Sequence, residues 1–285
     1  MTGRESTDRV WLITGASSGF GMALAEAALA GGDLVAATSR REESLDGLVG
    51  RAPERTYAAA LDVTDPAGGS RVVEEVIGRF GRIDVLVNNA GHGQVGAVEE
   101  TTEEELRGIF DVHVFGPAAL VRAVLPAMRE QRSGAIVQFS SFGGQVAYPG
   151  FSAYCATKFA LEGFSEALAP EVAPFGIKVL IVEPGAFRTG FSGGALVQSR
   201  EMPEYKETAG QTREMITGID GTQPGDPDKA ARAIIAALDA EETPLRLPLG
   251  ADAVDGIRGK LDSVSTELDA WEDLARSTAI EEEDS

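Results

Sequence analysis

Six short runs of apolar, largely β-branched residues, at positions 10–14, 34–39, 56–61, 85–88, 135–140 and 178–182, punctuate this chain. They are apolar almost throughout rather than alternately, the pattern of strands buried on both faces. Stretches with helical spacing separate them; Val72, Val73, Val76, Ile77 and Phe80 form one such face. Strand–helix–strand alternation requires right-handed crossovers, so the expected fold class is α/β, a doubly wound parallel sheet of Rossmann-like form. No internal repeat or linker divides residues 1–285, which read as a single domain.

Local signals place the helices. Thr101 and Glu104 have capping-box spacing ahead of a helix reaching about Met128, and Asp226-Pro227 fits an N-cap followed by proline at the first helical position. A further helix over 229–240 leads to a last strand at 245–249. Residues 192–223 break the alternation. They are rich in Gly, Thr and charge, with Gly193, Gly194, Gly210 and Gly218 as hinges, and read as a substrate lid. The end, 276–285, reads as a solvated acidic tail.

The formal net charge is −20. Nucleic-acid binders carry the opposite balance, and anionic membrane surfaces would repel such a chain, so neither partner is expected. No apolar run approaches the roughly 20 residues that cross a bilayer. Residues 1–9 lack the apolar core of a secretory signal, and the one cysteine, Cys155, cannot form an internal disulfide. The expected location is the cytoplasm, and no metal site is expected. An anionic ligand must be held by local positive groups against the overall field.

The first strand runs into Thr14-Gly15-Ala16-Ser17-Ser18-Gly19-Phe20-Gly21, followed by a helical stretch over 22–30. Glycines here allow a sharp turn and let backbone amides approach a pyrophosphate at a helix N-terminus. The second strand ends Ser39-Arg40-Arg41. An acidic residue there would bond a ribose 2′-hydroxyl and repel a 2′-phosphate; Ser39 leaves room for the phosphate, and Arg40 can meet it. The expected cofactor is NADP(H).

Taken together, Gly15 to Gly21, Asn88-Asn89-Ala90-Gly91, Ser141, Tyr154-Cys155-Ala156-Thr157-Lys158 and Pro184-Gly185 resemble the short-chain dehydrogenase/reductase family, over about residues 10–189. Ser141 lies thirteen residues before the tyrosine, as in that family. The resemblance implies hydride transfer between nicotinamide and a small-molecule carbonyl or alcohol. It also implies an assembly of two or four identical subunits, a homodimer or homotetramer. By the same likeness Asp62 and Val63 contact adenine, and Asn89, Ala90 and Gly91 form the loop under the adenosine. Pro184, Gly185, Phe187 and Thr189 would frame the nicotinamide carboxamide, and Lys158 would also contact its ribose.

The chemistry can be read from the residues as well. Tyr154 and Lys158, at i and i+4, share one face of a helix beginning near Ser152. A free tyrosine titrates near 10, too high for acid–base work at neutral pH, and an adjacent ammonium is expected to lower it. Ser141 would bond the same substrate oxygen. One position departs from the family: His113 stands where it has asparagine. A neutral imidazole both donates and accepts, so His113 is a candidate proton relay, with a packed core histidine as the alternative. His92, after the Asn-Asn-Ala-Gly loop, reads as pocket lining. A second function stays open at this point, a regulatory protein that senses NADP(H) on the same fold without chemistry.

Overall fold

The strand β1 (Val10–Ile13) is buried along its whole length, as a strand covered on both faces must be. The computed structural model describes residues 9–280. After β1 come α1 (Gly19–Ala30), β2 (Leu34–Ser39), α2 (Asp46–Arg51), β3 (Thr56–Ala60), α3 (Pro66–Phe80) and β4 (Val85–Asn88). They are followed by β5 (Gly93–Val95), α4 (Glu103–Phe110), α5 (Gly116–Gln131), β6 (Gly134–Phe139), α6 (Ser152–Val172) and β7 (Ile177–Pro184). The last part adds β8 (Leu196–Gln198), α7 (Gln211–Gly218), α8 (Pro227–Asp239), β9 (Arg246–Leu249) and α9 (Ala251–Arg276).

Seven strands form one sheet in the order β3-β2-β1-β4-β6-β7-β9, and every pairing in it is parallel. The pleat sends alternate residues to opposite layers. Trp11 and Ile13 pack with Leu24 of α1 and Ile234 of α8, whereas Leu12 packs with Val72 of α3, Val124 of α5 and Leu168 of α6. Strand order reverses beside β1, which opens a crevice at its carboxyl end between the turn 14–21 and the loop 88–91.

Three local expectations are corrected. The capping box lies one residue later: Thr102 Oγ1 accepts from Glu105 N, and Glu105 Oε2 accepts from Thr102 N. Thr101 instead donates its hydroxyl to Ala97 O, closing the preceding turn. The single helix expected over 101–128 is interrupted by a five-residue π-helical turn, Asp111–Phe115, between α4 and α5. By length and composition the stretch Glu103–Gln131 could cross a bilayer, unlike any run noted in the sequence. Here its Leu120, Val124 and Met128 fill the core.

Residues 192–223 are more ordered than a glycine-rich loop. Within them β8 pairs in parallel with β5, and α7 turns Arg213 inward. Arg213 Nη2 donates to Glu100 Oε2 at 3.2 Å and to Ser199 O at 3.1 Å, and both charged side chains are buried. Of the acidic tail, residues 281–285 lie outside the described residues, and Arg276 belongs to α9.

Arg213→Ala would leave Glu100 buried without its counter-charge, at a cost of about 3 kcal/mol. Amide exchange is expected to quicken across residues 196–218 while the central sheet keeps its protection. Unchanged exchange in that segment would show that the ion pair does not fasten it.

Candidate functional site

At the switch of the sheet two loops meet almost backbone to backbone. Thr14 Oγ1 accepts from Asn89 N and Ala90 N, each at 3.0 Å, and donates to Val87 O at 3.2 Å. Asn89 Nδ2 donates back to Thr14 O at 2.8 Å and Gly15 O at 3.1 Å. Gly15 has a left-handed φ of +65°. A Cβ on Gly21 would lie 2.6 Å from Asn89 Nδ2 and closer still to Gly15 O, so only glycine fits. Ser18, the N-cap of α1, makes no side-chain cap, which leaves the first-turn amides available to a ligand's phosphate oxygens. A cleft of about 440 Å³ opens beside them, lined by Gly19, Met22, Arg188, Thr189 and Pro227 among others. The open amides, the glycines at 15, 19 and 21 and the cleft fit a dinucleotide.

The second strand ends as the sequence suggested. Ser39 is buried and ties the Arg41 backbone, and Arg40 remains exposed. Asp62 Oδ1 accepts from Thr64 N at 3.0 Å and Thr64 Oγ1 at 2.7 Å. Those bonds, with the nearby Arg40 charge, hold its carboxyl below the usual range. Val63 O lies against Gly116 at the start of α5. On the opposite side, Phe20 packs with Phe139 and Phe187 at ring separations of 5.3 and 5.1 Å. Thr189 lies over Gly19, and its hydroxyl accepts from Phe191 N.

Ser141, Tyr154 and Lys158 converge beyond the carboxyl end of β6. The Ser141 side chain hydrogen-bonds the Tyr154 hydroxyl and accepts from Gly143 N at 3.0 Å. Phe151, Phe191 and His113 enclose the Tyr154 ring edge-on at 5.8, 5.5 and 5.7 Å. Burial therefore pushes the phenol above its ordinary range, and the Ser141 bond offsets only part of this. The expected lowering by Lys158 is corrected. Lys158 Nζ donates to Phe139 O at 2.8 Å and sits 5.6 Å from the tyrosine ring centroid. Its own burial brings it down to about 7, partly opposed by Glu162, so near neutral pH it is poised between its charged and neutral forms.

His113 sits in the π-helical turn with both ring nitrogens engaged. Thr157 Oγ1 gives its proton to Tyr154 O at 2.7 Å, so at 2.9 Å it accepts one from His113 Nδ1. Nε2 is then the acceptor for His92 N at 3.2 Å. Burial first, and then the charge of Lys158, hold this imidazole well below its usual pKa. The ring is a neutral brace between α6 and the loop 88–91, and it packs directly on Gly91.

Two features escaped sequence reasoning. Asp252, in the first turn of α9, accepts from Ala186 N at 2.7 Å and so fastens the loop 184–189. Behind Lys158 lies a buried acid pair. Glu162 is one turn further along α6, a spacing that was readable, and Arg246 Nε donates to its Oε2 at 3.0 Å. Glu183 of β7 accepts from Gln145 Nε2 at 2.9 Å and lies 3.7 Å from the same guanidinium. Burial, with Glu183 adding repulsion, pushes Glu162 up to about 7.

A family model described as short chain dehydrogenase matches residues 9–198. Oxidoreductase BOA17 of Botryotinia fuckeliana (strain B05.10) is 39% identical over 272 residues, spanning 95% of this chain and 99% of its own length. The crystal structure of a short-chain dehydrogenase from Streptomyces avermitilis superposes with a TM-score of 0.92 at 61% identity, covering 96% of this chain and 100% of that one. An alcohol dehydrogenase from the archaeon Thermococcus sibiricus, solved with 5-hydroxy-NADP, is similar at a TM-score of 0.70 and 25% identity, covering 85% and 95%.

The acid pair has a consequence for stability. Glu162 binds its proton more tightly folded (about 7) than unfolded (4.5), so its contribution is present at low pH and falls as pH rises through that window. Glu162→Gln cannot ionise and is expected to lose less stability than the natural protein between about pH 5 and about pH 7.5, by at least about 1 kcal/mol. Parallel pH profiles of the denaturation midpoint would contradict this.

Proposed function

The chain belongs to the short-chain dehydrogenase/reductase family of nicotinamide-dependent oxidoreductases, and on that footing we propose that it is an NADP(H)-dependent reductase or dehydrogenase acting on a small carbonyl or secondary alcohol. The observation carrying this reading is the convergence of Ser141, Tyr154 and Lys158 beside the open amides of the glycine turn. A sensor without chemistry would have no use for that convergence.

When bound, the nicotinamide supplies or accepts the hydride. The amides of Gly19, Phe20 and Gly21 would receive the pyrophosphate, Arg40 would meet the 2′-phosphate, and Asp62 and Val63 would border the adenine. In the reductive direction Tyr154 donates its proton to the carbonyl oxygen, which Ser141 also holds. Burial keeps the phenol protonated but makes it a weaker acid, so proton donation depends on Ser141 and a charged Lys158 to draw it back toward the operating range. Lys158 would contact the ribose and, once charged, would favour the phenolate left behind. His113 acts as a positioning residue through Thr157 and the loop 88–91. Phe191, which faces Tyr154, heads the lid over 192–223; its closure would exclude water. We assign the protein to the cytoplasm, consistent with one buried, unpaired cysteine.

Support for NADP(H) is the absence of an acid at the end of β2, together with the exposed Arg40. The archaeal relative solved with 5-hydroxy-NADP is in keeping with it. With a panel of ketones and aldehydes, kcat/KM should favour NADPH over NADH by at least about tenfold, roughly the 1.4 kcal/mol expected of one charge-assisted contact. Ser39→Asp with Arg40→Ala should reverse the preference. Equal or better use of NADH by the natural protein would sink the assignment. Tight NADPH binding without turnover of any substrate would favour the regulatory reading.

A further inference from the structure

Lys158 and Glu162 stand one turn apart on the buried face of α6. An ammonium at that depth needs a counter-charge to persist. His113 gives none, because its neutral ring is closed by Thr157 and by the His92 amide. Phe139 O offers Nζ a hydrogen bond but only a partial charge. The full charge that acts on the lysine is the carboxylate of Glu162, and it opposes loss of the ammonium proton.

Three other parts of the fold hold Glu162. Arg246 Nε of β9 donates to Oε2 at 3.0 Å, and Glu183 of β7, itself bonded by Gln145, lies 3.7 Å from the same nitrogen. Oε1 shares the space over Gly144 with the Ser140 hydroxyl: a Cβ there would lie 3.1 Å from the one and 2.5 Å from the other. Ser140 joins Phe139, whose carbonyl holds Lys158, to Ser141, whose hydroxyl bonds Tyr154. Arg246 also reaches the exposed Glu166 at 2.6 Å, so the acid pair runs from Lys158 to the rim of the protein. On the reading of Lys158 as the group that favours the Tyr154 phenolate, we propose that Glu162 is a positioning residue for hydride transfer. Its carboxylate holds Lys158 as an ammonium, and Glu183 and Arg246 set how readily that carboxylate forms. Lys158 and Glu162 each lie at about 7, so the neutral pair and the ion pair differ only in where one proton sits. Glu183 repels the carboxylate and Arg246 attracts it, so loss of Glu183 favours the ion pair. The other titratable groups around the pair are His113 of the π-helical turn, held neutral, Tyr154 of α6, held protonated, and the solvated Glu166.

An NMR titration of the full chain carrying isotope-labelled lysine reads the ammonium directly, with the Lys158 signal identified by its loss in Lys158→Met. In Glu162→Gln the Lys158 midpoint should fall by at least about half a pH unit, an about threefold loss of ammonium above the midpoint. In Glu183→Gln it should stay in place or rise. The alkaline limb of kcat for carbonyl reduction should move the same way in each variant. In Glu162→Gln, kcat should converge on that of the natural protein as pH falls and Lys158 becomes charged without help. A Lys158 midpoint that does not move in Glu162→Gln, or that falls in Glu183→Gln, overturns the proposal. So does a kcat lowered by the same factor at every pH, the mark of a merely structural role. A natural protein that turns over no carbonyl would sink the functional reading instead, and the lysine titration, which needs no turnover, would still decide whether Glu162 holds the charge.

Discussion

A single threonine hydroxyl holds the two loops of the cleft together. Thr14 Oγ1 bonds three backbone groups of β4 and the loop that follows it, and Asn89 returns two bonds to the turn that follows β1. These contacts are possible because the turn carries no side chains at Gly15 and Gly21 where the chains approach. The carbonyls of Thr14 and Gly15 and the amides of Asn89 and Ala90 are thereby engaged. Those at the start of α1 remain open toward the cleft. A ligand-binding edge with its own backbone already satisfied needs little rearrangement to accept an anion, and it does so despite the acidity of the whole chain.

Burial sets the protonation of everything deeper in. Tyr154, Lys158, His113 and Glu162 lie within a few helical turns of one another, and each is pushed toward its neutral form. Fixed charge is therefore disfavoured throughout the cluster, and Lys158, at about 7, is poised between its two forms near neutral pH. Paired ions would have to repay their desolvation through close geometry, and only Arg246, at the half-exposed rim, makes such contacts with Glu162 and Glu166. His113 completes the arrangement without charge, through one donated and one accepted hydrogen bond.

The parallel sheet covered by helices on both faces was legible in the sequence because it follows from periodicity and from turn chemistry near in sequence. The helix carrying Tyr154 and Lys158 was legible for the same reason, its faces being set by 3.6-residue spacing. The capping box was misplaced by one residue because Thr101 and Thr102 are both competent caps, and the choice fell to the preceding turn, where the Thr101 hydroxyl bonds Ala97 O. Residues 192–223 read as an irregular loop since their order depends on partners about a hundred residues away, Glu100 and β5. The direction of the tyrosine shift was missed for a related reason. Spacing shows that a lysine is near, whereas how deeply both groups are buried depends on Phe151, Phe191 and His113, which come from three different elements.

The account rests on Tyr154 as the group that moves the proton, and one substitution tests this directly. In Tyr154→Phe the ring and its packing remain and only the hydroxyl is lost. Measured side by side, NADPH affinity should stay within about threefold of the natural protein, while kcat for carbonyl reduction falls by at least about a hundredfold, as loss of a general acid requires. A variant that retained most of its turnover would show that the proton comes from elsewhere, and the central assignment would fall.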